Sequence, residues 1–175
     1  MTDNSDIAGE TRLAPNTLAF IALANEYCNA VENATAMERD DFIAAMLRLL
    51  PRIYISATDI ANILAGDPDT YIQESLTEDY YDAMRRSLES VFGEDDTYLD
   101  TFEEEMKYSD TPIAASISEQ LADIFQVMYN YLEVVRDAPD SLITDATAGI
   151  RQDFEQYWSR QLCNALRAIN ALRYA

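Results

Sequence analysis

DFIAAMLRLLPRIYISATDIANIL, residues 41–64, decides the fold. Phe42, Met46, Leu49, Leu50, Ile53, Ala57, Ile60 and Leu64 recur at three- and four-residue steps, the period of an α-helix. A second row at Ile43, Leu47 and Tyr54 widens the stripe, and a helix so apolar around its circumference belongs in the centre of a fold. Glu38, Asp40 and Asp41 precede it and suit the positive end of the helix dipole. Pro51 removes one backbone donor and predicts a kink or break, and Gly66, Asp67 and Pro68 end the helix.

Upstream, residues 1–13 read as a flexible acidic lead. Pro15 and Asn16 then open a helix with Phe20, Ala24, Tyr27, Cys28 and Val31 on its inner face. Downstream, the stretch from Tyr71 to Leu76 reads as a short helical turn. Thr77 with Glu78 and Asp79 caps a helix carrying Tyr80, Tyr81, Met84, Leu88 and Val91, which Gly93 closes. The carboxylate-dense span from Glu94 to Asp110 predicts a short helix with Tyr98, Leu99, Phe102 and Met106 inward.

Thr111 as cap and Pro112 at the first helical position begin a further helix with the stripe Ile113, Ile117, Leu121, Ile124, Met128, Tyr131 and Val135, stopped by Pro139. Asp140 or Ser141 caps the last helical region, in which Gly149 is a candidate break. Phe154, Trp158, Leu162, Ala165, Ile169 and Leu172 form its stripe. No β-alternation and no internal repeat emerges. Long helices with short connections predict one all-α domain over residues 14–175, an up-and-down bundle of about five or six helices whose final pair packs together.

Against 12 basic residues stand 32 acidic ones, a formal charge of −20 in 175 residues. Such a field repels phosphate backbones and anionic lipid, so neither nucleic acid nor a membrane is expected as a partner. It attracts a basic protein surface or divalent cations, although solubility alone also accounts for it. Met1 to Glu10 lacks the charged and apolar regions of a secretory signal. The longest apolar run, Leu18 to Ala24, is far short of the roughly 20 residues of a membrane span. Cys28 and Cys163 are far apart and form no paired motif, which points to a reducing, cytoplasmic setting.

The sequence contains no histidine, the usual general base and the commonest metal ligand. Two distant cysteines build no thiolate zinc site, and each lies near an apolar stripe with no activating base, as a packing residue would. Glu38-x-x-Asp41 and the pair Glu119 and Asp123 are the nearest approach to a carboxylate metal site. A helix cap or a solvated face is the favoured explanation of both. With four glycines, no phosphate-cradling loop exists. No catalytic residue, cofactor site or metal ligand is assigned, and the sequence points away from an enzyme.

Eleven tyrosines and the lone lysine, Lys107, give an interface-like composition, though tyrosine also serves where a ring is buried and its hydroxyl wet. Arg160 and Arg167, seven residues apart, are placed to pair with acidic segments of neighbouring helices.

The run Ser118-Glu119-Gln120-Leu121-Ala122-Asp123-Ile124-Phe125, with Trp158 and Asn164-Ala165-Leu166-Arg167-Ala168, resembles a family of unknown function, DUF5063. Ala24-Asn25-Glu26-Tyr27-Cys28 and Thr77-Glu78-Asp79-Tyr80 extend the resemblance over most of the chain. It implies an all-helical bacterial protein of similar length and supplies no activity. Ser159 stands where the family pattern has glycine and Asn170 where it has histidine, and Met128, Tyr129 and Asn130 replace a more charged stretch. Any chemistry that used that histidine is lost here. Among matching positions Tyr80, Glu119, Asp123, Trp158 and Arg167 pair polar groups with the resemblance and form the candidate functional surface.

The leading expectation is a cytoplasmic module that binds a basic protein partner through an acidic, tyrosine-rich surface. The alternative is a carboxylate-based, divalent-metal hydrolase or a ligand-binding bundle, and a third reading is a mimic of nucleic-acid charge.

Overall fold

Pro15 supplies a preset φ and no surplus donor at the start of the first helix, α1 (Pro15–Glu32), whose inner residues Phe20, Ala24, Tyr27, Cys28 and Val31 are all buried. The computed structural model describes residues 13–60, 66–70, 73–100 and 111–174. α2 (Arg39–Ile60) follows, then α3 (Glu78–Phe92), strands β1 (Thr97–Asp100) and β2 (Ile113–Ser116), and α4 (Ile117–Asp137). α5 (Asp140–Asp153) runs through a five-residue π turn, Phe154–Trp158, into α6 (Ser159–Tyr174). Counting that last stretch as one, the described residues form five long helices and a two-stranded ribbon. The protein is mostly all-α.

α4 is the central helix, packed against α1, α3, α5 and α6, while α2 closes the far side against α1 and α6. α2 and α4 run antiparallel to α1. Arg52 pairs with Glu26 and Asn16 reaches the Asp59 carbonyl, which orients α2 on α1. Tyr27 donates to the Leu121 carbonyl at 2.8 Å and Phe20 meets Tyr131 edge to face, which orients α1 on α4.

Several expectations are corrected by the structure. α2 is not the centre, because Arg48, Arg52, Ile55 and Asp59 keep one side of it exposed. Pro51 lies inside α2 without ending it, since Leu50 and Ile53, both buried, hold the helix across a proline that costs roughly 3 kcal/mol in a helix interior. Residues 73–76 are not helical; their backbone is instead tied to α4. Residues 1–12, 61–65, 71–72 and 101–110, on which the N-terminal lead, the stripe residue Leu64, the start of the turn expected from Tyr71 and the inward set Phe102 and Met106 fall, lie outside the described residues.

Where a helix with Tyr98 and Leu99 was expected, β1 pairs antiparallel with β2, Thr97 opposite Ser116 and Asp100 opposite Ile113. Four-residue strands are too short for a period-two pattern to register. Consequently α4 does not start at Thr111-Pro112 but at Ser116, whose Oγ accepts the Glu119 N–H at 3.3 Å. Asp96 reinforces this start. Buried at 7% exposure, its carboxylate accepts the Ser118 N–H at 2.7 Å and the hydroxyls of Ser116 and Ser118 at 2.6 and 2.8 Å.

Neither Asp140 nor Ser141 caps α5. Pro139 takes the cap position and no side chain bonds there. Gly149 is no break either: α5 runs through it, and the Pro68 carbonyl lies 3.5 Å from where its Cβ would be. A Cβ there would make only ordinary contact, so the glycine is neither a helix end nor required by its surroundings.

Candidate functional site

α4 fills the core with Ile117, Leu121 and Ile124 and turns Glu119 and Asp123, one turn apart, to its outer side. Two tyrosines from neighbouring elements converge there. The Tyr81 hydroxyl, from α3, donates to Asp123 Oδ1 at 2.7 Å, and the Tyr157 hydroxyl, from the π turn, donates to Asp123 Oδ2 at 3.2 Å. One carboxylate thus bridges three elements.

Partial burial, then the bond to Asp123, then the charges of Asp123 and Glu119 raise the ionisation of the Tyr81 hydroxyl well above its ordinary range. Burial also raises that of Tyr157, with Asp123 adding to it and a bond to Gln161 opposing it. Both phenols are therefore donors at neutral pH and not bases.

The π turn sets the direction of Tyr157. Its signature is the bond from the Ser159 N–H to the Phe154 carbonyl, five residues back. Next to Tyr157, Trp158 points the other way: it is fully buried, donates Nε1–H to the Ile150 carbonyl at 3.0 Å, and packs on Phe154 with centroids 4.5 Å apart. Phe20 completes the aromatic set at 6.4 Å.

Of the five residues singled out from sequence, the structure brings together Glu119 and Asp123. Trp158 belongs to the core beside them. Tyr80 faces α1, where its hydroxyl donates to Glu32 at 2.8 Å and its ring meets Phe125 and Tyr129 edge to face. Arg167 lies against the ribbon, its Nη2 donating to the Leu99 carbonyl. Arg160 forms no ion pair among the described residues.

Tyr81 and Tyr157 were missed. Each follows or precedes a residue of an apolar stripe, and the signal that could have found Tyr157 is the spacing Ala146, Ile150, Phe154, Trp158, Leu162. Four successive four-residue steps drift by about 40° each on a regular helix, so a core-facing run of them calls for a widened turn.

Among the described residues no group of three or more histidine, cysteine, aspartate or glutamate side chains is placed to hold a metal ion. Cys28 is buried and Cys163 exposed, and neither is disulfide-bonded. Burial raises both thiols, which leaves them protonated at neutral pH and poor nucleophiles. What the Asp123 face offers is carboxylate charge and oriented phenols.

Residues 11–175 match the sequence pattern of DUF5063, a domain of unknown function. The chain belongs to the DUF5063 family. A crystal structure of protein BF1032 from Bacteroides fragilis is similar to this DUF5063 chain, with 28% identity over 92% of this chain and 94% of that one and a TM-score of 0.78. No curated protein matches the chain. The DUF5063 fold is thus shared, and its function is unknown. No helix of the described residues is long and apolar enough to cross a membrane.

Proposed function

We propose that this chain is a cytoplasmic, bacterial protein-interaction module that takes a basic protein partner on the face around Asp123. The observation that carries the reading is the convergence of Tyr81 and Tyr157 on the Asp123 carboxylate. It fixes two amphipathic rings near Glu119, with Glu78 three residues before Tyr81 on α3, both exposed carboxylates with no ion-pair partner among the described residues. Rigid tyrosines supply contact area at low entropic cost, and unpaired carboxylates steer and orient a basic surface. On α3, by contrast, Arg85 and Arg86 are already engaged by Asp82 and Glu89. The net charge of −20 acts in the same direction at longer range. The two free cysteines fit a reducing compartment.

The test is capture of the tagged chain with its companions from a lysate of its source cell, at low and moderate salt. A Glu78→Gln, Glu119→Gln variant, which leaves the phenol bonds intact, runs alongside. One stoichiometric basic partner, weakened by salt and lost in the variant, is the expected result. A partner indifferent to both salt and variant, or no partner at either salt, overturns the reading.

A further inference from the structure

A cavity of about 360 Å³ lies one helical turn from the Asp123 contact along the same two helices. On α4 Gln126 and Asn130 follow Asp123, and on α5 Asp153 precedes Tyr157. The size falls within the roughly 300–1,000 Å³ of small-molecule pockets.

Two described stretches beside it, 66–70 and 73–76, are each tied to a helix by side-chain bonds to backbone. At one, the Asp67 N–H donates to Asp145 on α5 at 2.8 Å, and the Pro68 carbonyl lies against α5 at Gly149. At the other, Asn130 Oδ1 accepts the Ser75 and Leu76 N–H groups, each at 2.9 Å.

The lining chemistry is one-sided. Glu74 and Asp153 contribute carboxylates, and among the described residues no lysine or arginine lines the cavity. Val127 and Ile150 give an apolar side. Because its oxygen is occupied twice, Asn130 offers the cavity only its amide N–H donors, which make no hydrogen bond among the described residues.

We propose that this cavity binds a small organic ammonium compound whose short stem carries a hydroxyl or carbonyl oxygen. The ammonium group sits between Glu74 and Asp153, the stem lies on Val127 and Ile150, and the oxygen accepts from the Asn130 amide. Partial desolvation raises the Asp153 carboxyl in the free protein although the residue is exposed, so a bound cation at this place lowers it again. The site is separate from the proposed partner surface and does not depend on it.

The test is a two-dimensional NMR titration of the ¹⁵N-labelled full chain with 4-amino-1-butanol, with n-butanol, n-butylammonium and 4-hydroxybutyrate as comparisons. Saturable shifts at the amides of Thr70, Gln126, Asn130 and Gly149 are expected with the amino alcohol. Binding should be weaker for n-butylammonium and absent for the other two. The Glu74→Gln, Asp153→Asn variant, its fold checked by the same spectrum, should bind at least tenfold more weakly. Equal response to n-butanol, shifts scattered over the acidic surface, or unchanged binding in the variant overturns the proposal.

Discussion

Tyr81 and Tyr157, 76 positions apart in the chain, share one acceptor: each phenol donates to a different oxygen of Asp123. The carboxylate on the central helix thereby ties α3 to the π turn on the opposite flank of α4. Half-buried Tyr81 makes the shorter bond and Tyr157, 48% exposed, the longer one. The two contacts should therefore differ in weight although they end on the same group.

Tyr81→Phe removes a bond to a charged acceptor at a half-buried place and should cost about 1–2 kcal/mol, read from urea unfolding. Tyr157→Phe, more exposed and with the longer bond, should cost less than about 0.5 kcal/mol. If the shared carboxylate couples them, the double variant departs from the sum of the singles. Equal costs for both would show that bond length and exposure do not set the weight of these contacts.

Alkaline pH should unfold the protein. Burial, with Glu32 at Tyr80, pushes Tyr80 and Tyr131 up to about 12, and Tyr27, Tyr81 and Tyr157 are raised as well. In the unfolded chain these phenols ionise near pH 10. Their stabilising effect is whole below pH 10. Above it the unfolded state releases protons that the folded state retains, so stability falls as pH rises through 10 toward 12 and beyond. Absorbance of the phenolate and helical circular dichroism should then change together for this group. Ionisation of these tyrosines near pH 10 with the helices intact would contradict the sign.

Asp96 organises the start of the central helix, and its loss leaves the Ser118 N–H and two hydroxyls without their acceptor. Asp96→Ala should cost about 3 kcal/mol in denaturant unfolding, combining a lost cap with lost charge-assisted bonds. Asp96→Asn keeps an acceptor but removes the charge facing the helix N-terminus, and about 1–2 kcal/mol is expected. A cost under about 1 kcal/mol for Ala would assign the start of α4 to Ser116 alone.

The helices were legible because their signal is repeated many times: every stripe residue of α1 is buried, as are Phe42 to Ile60 on α2 and Ile117 to Tyr131 on α4. The ribbon was not, because its four-residue strands carry one alternation, Tyr98 and Asp100 inward and Thr97 and Leu99 outward, amid a run of carboxylates. At the α4 start two cap signals competed. Thr111-Pro112 was the more conspicuous, but Ser116 with Glu119 three residues on is the one that Asp96 selects through contacts 20 and 22 positions apart. Likewise Glu119 and Asp123 were readable as a pair on one helix face, whereas Tyr81 and Tyr157 join them only through tertiary packing and the π turn.

Two glycines test how the stretch 66–70 is held. Gly149 has helical backbone and ordinary space for a methyl group, with its nearest neighbour 3.5 Å from an added Cβ. Gly149→Ala should stabilise the protein by about 0.5–1 kcal/mol, a rise in Tm of a few degrees. At Gly66, φ is +106° and an added Cβ would lie 2.6 Å from the Thr144 carbonyl oxygen. Gly66→Ala should therefore cost about 2 kcal/mol or more, and the Asp67 N–H should lose its protection from hydrogen exchange as the segment lifts from Asp145. Were both substitutions neutral, the stretch 66–70 would not be pinned to α5.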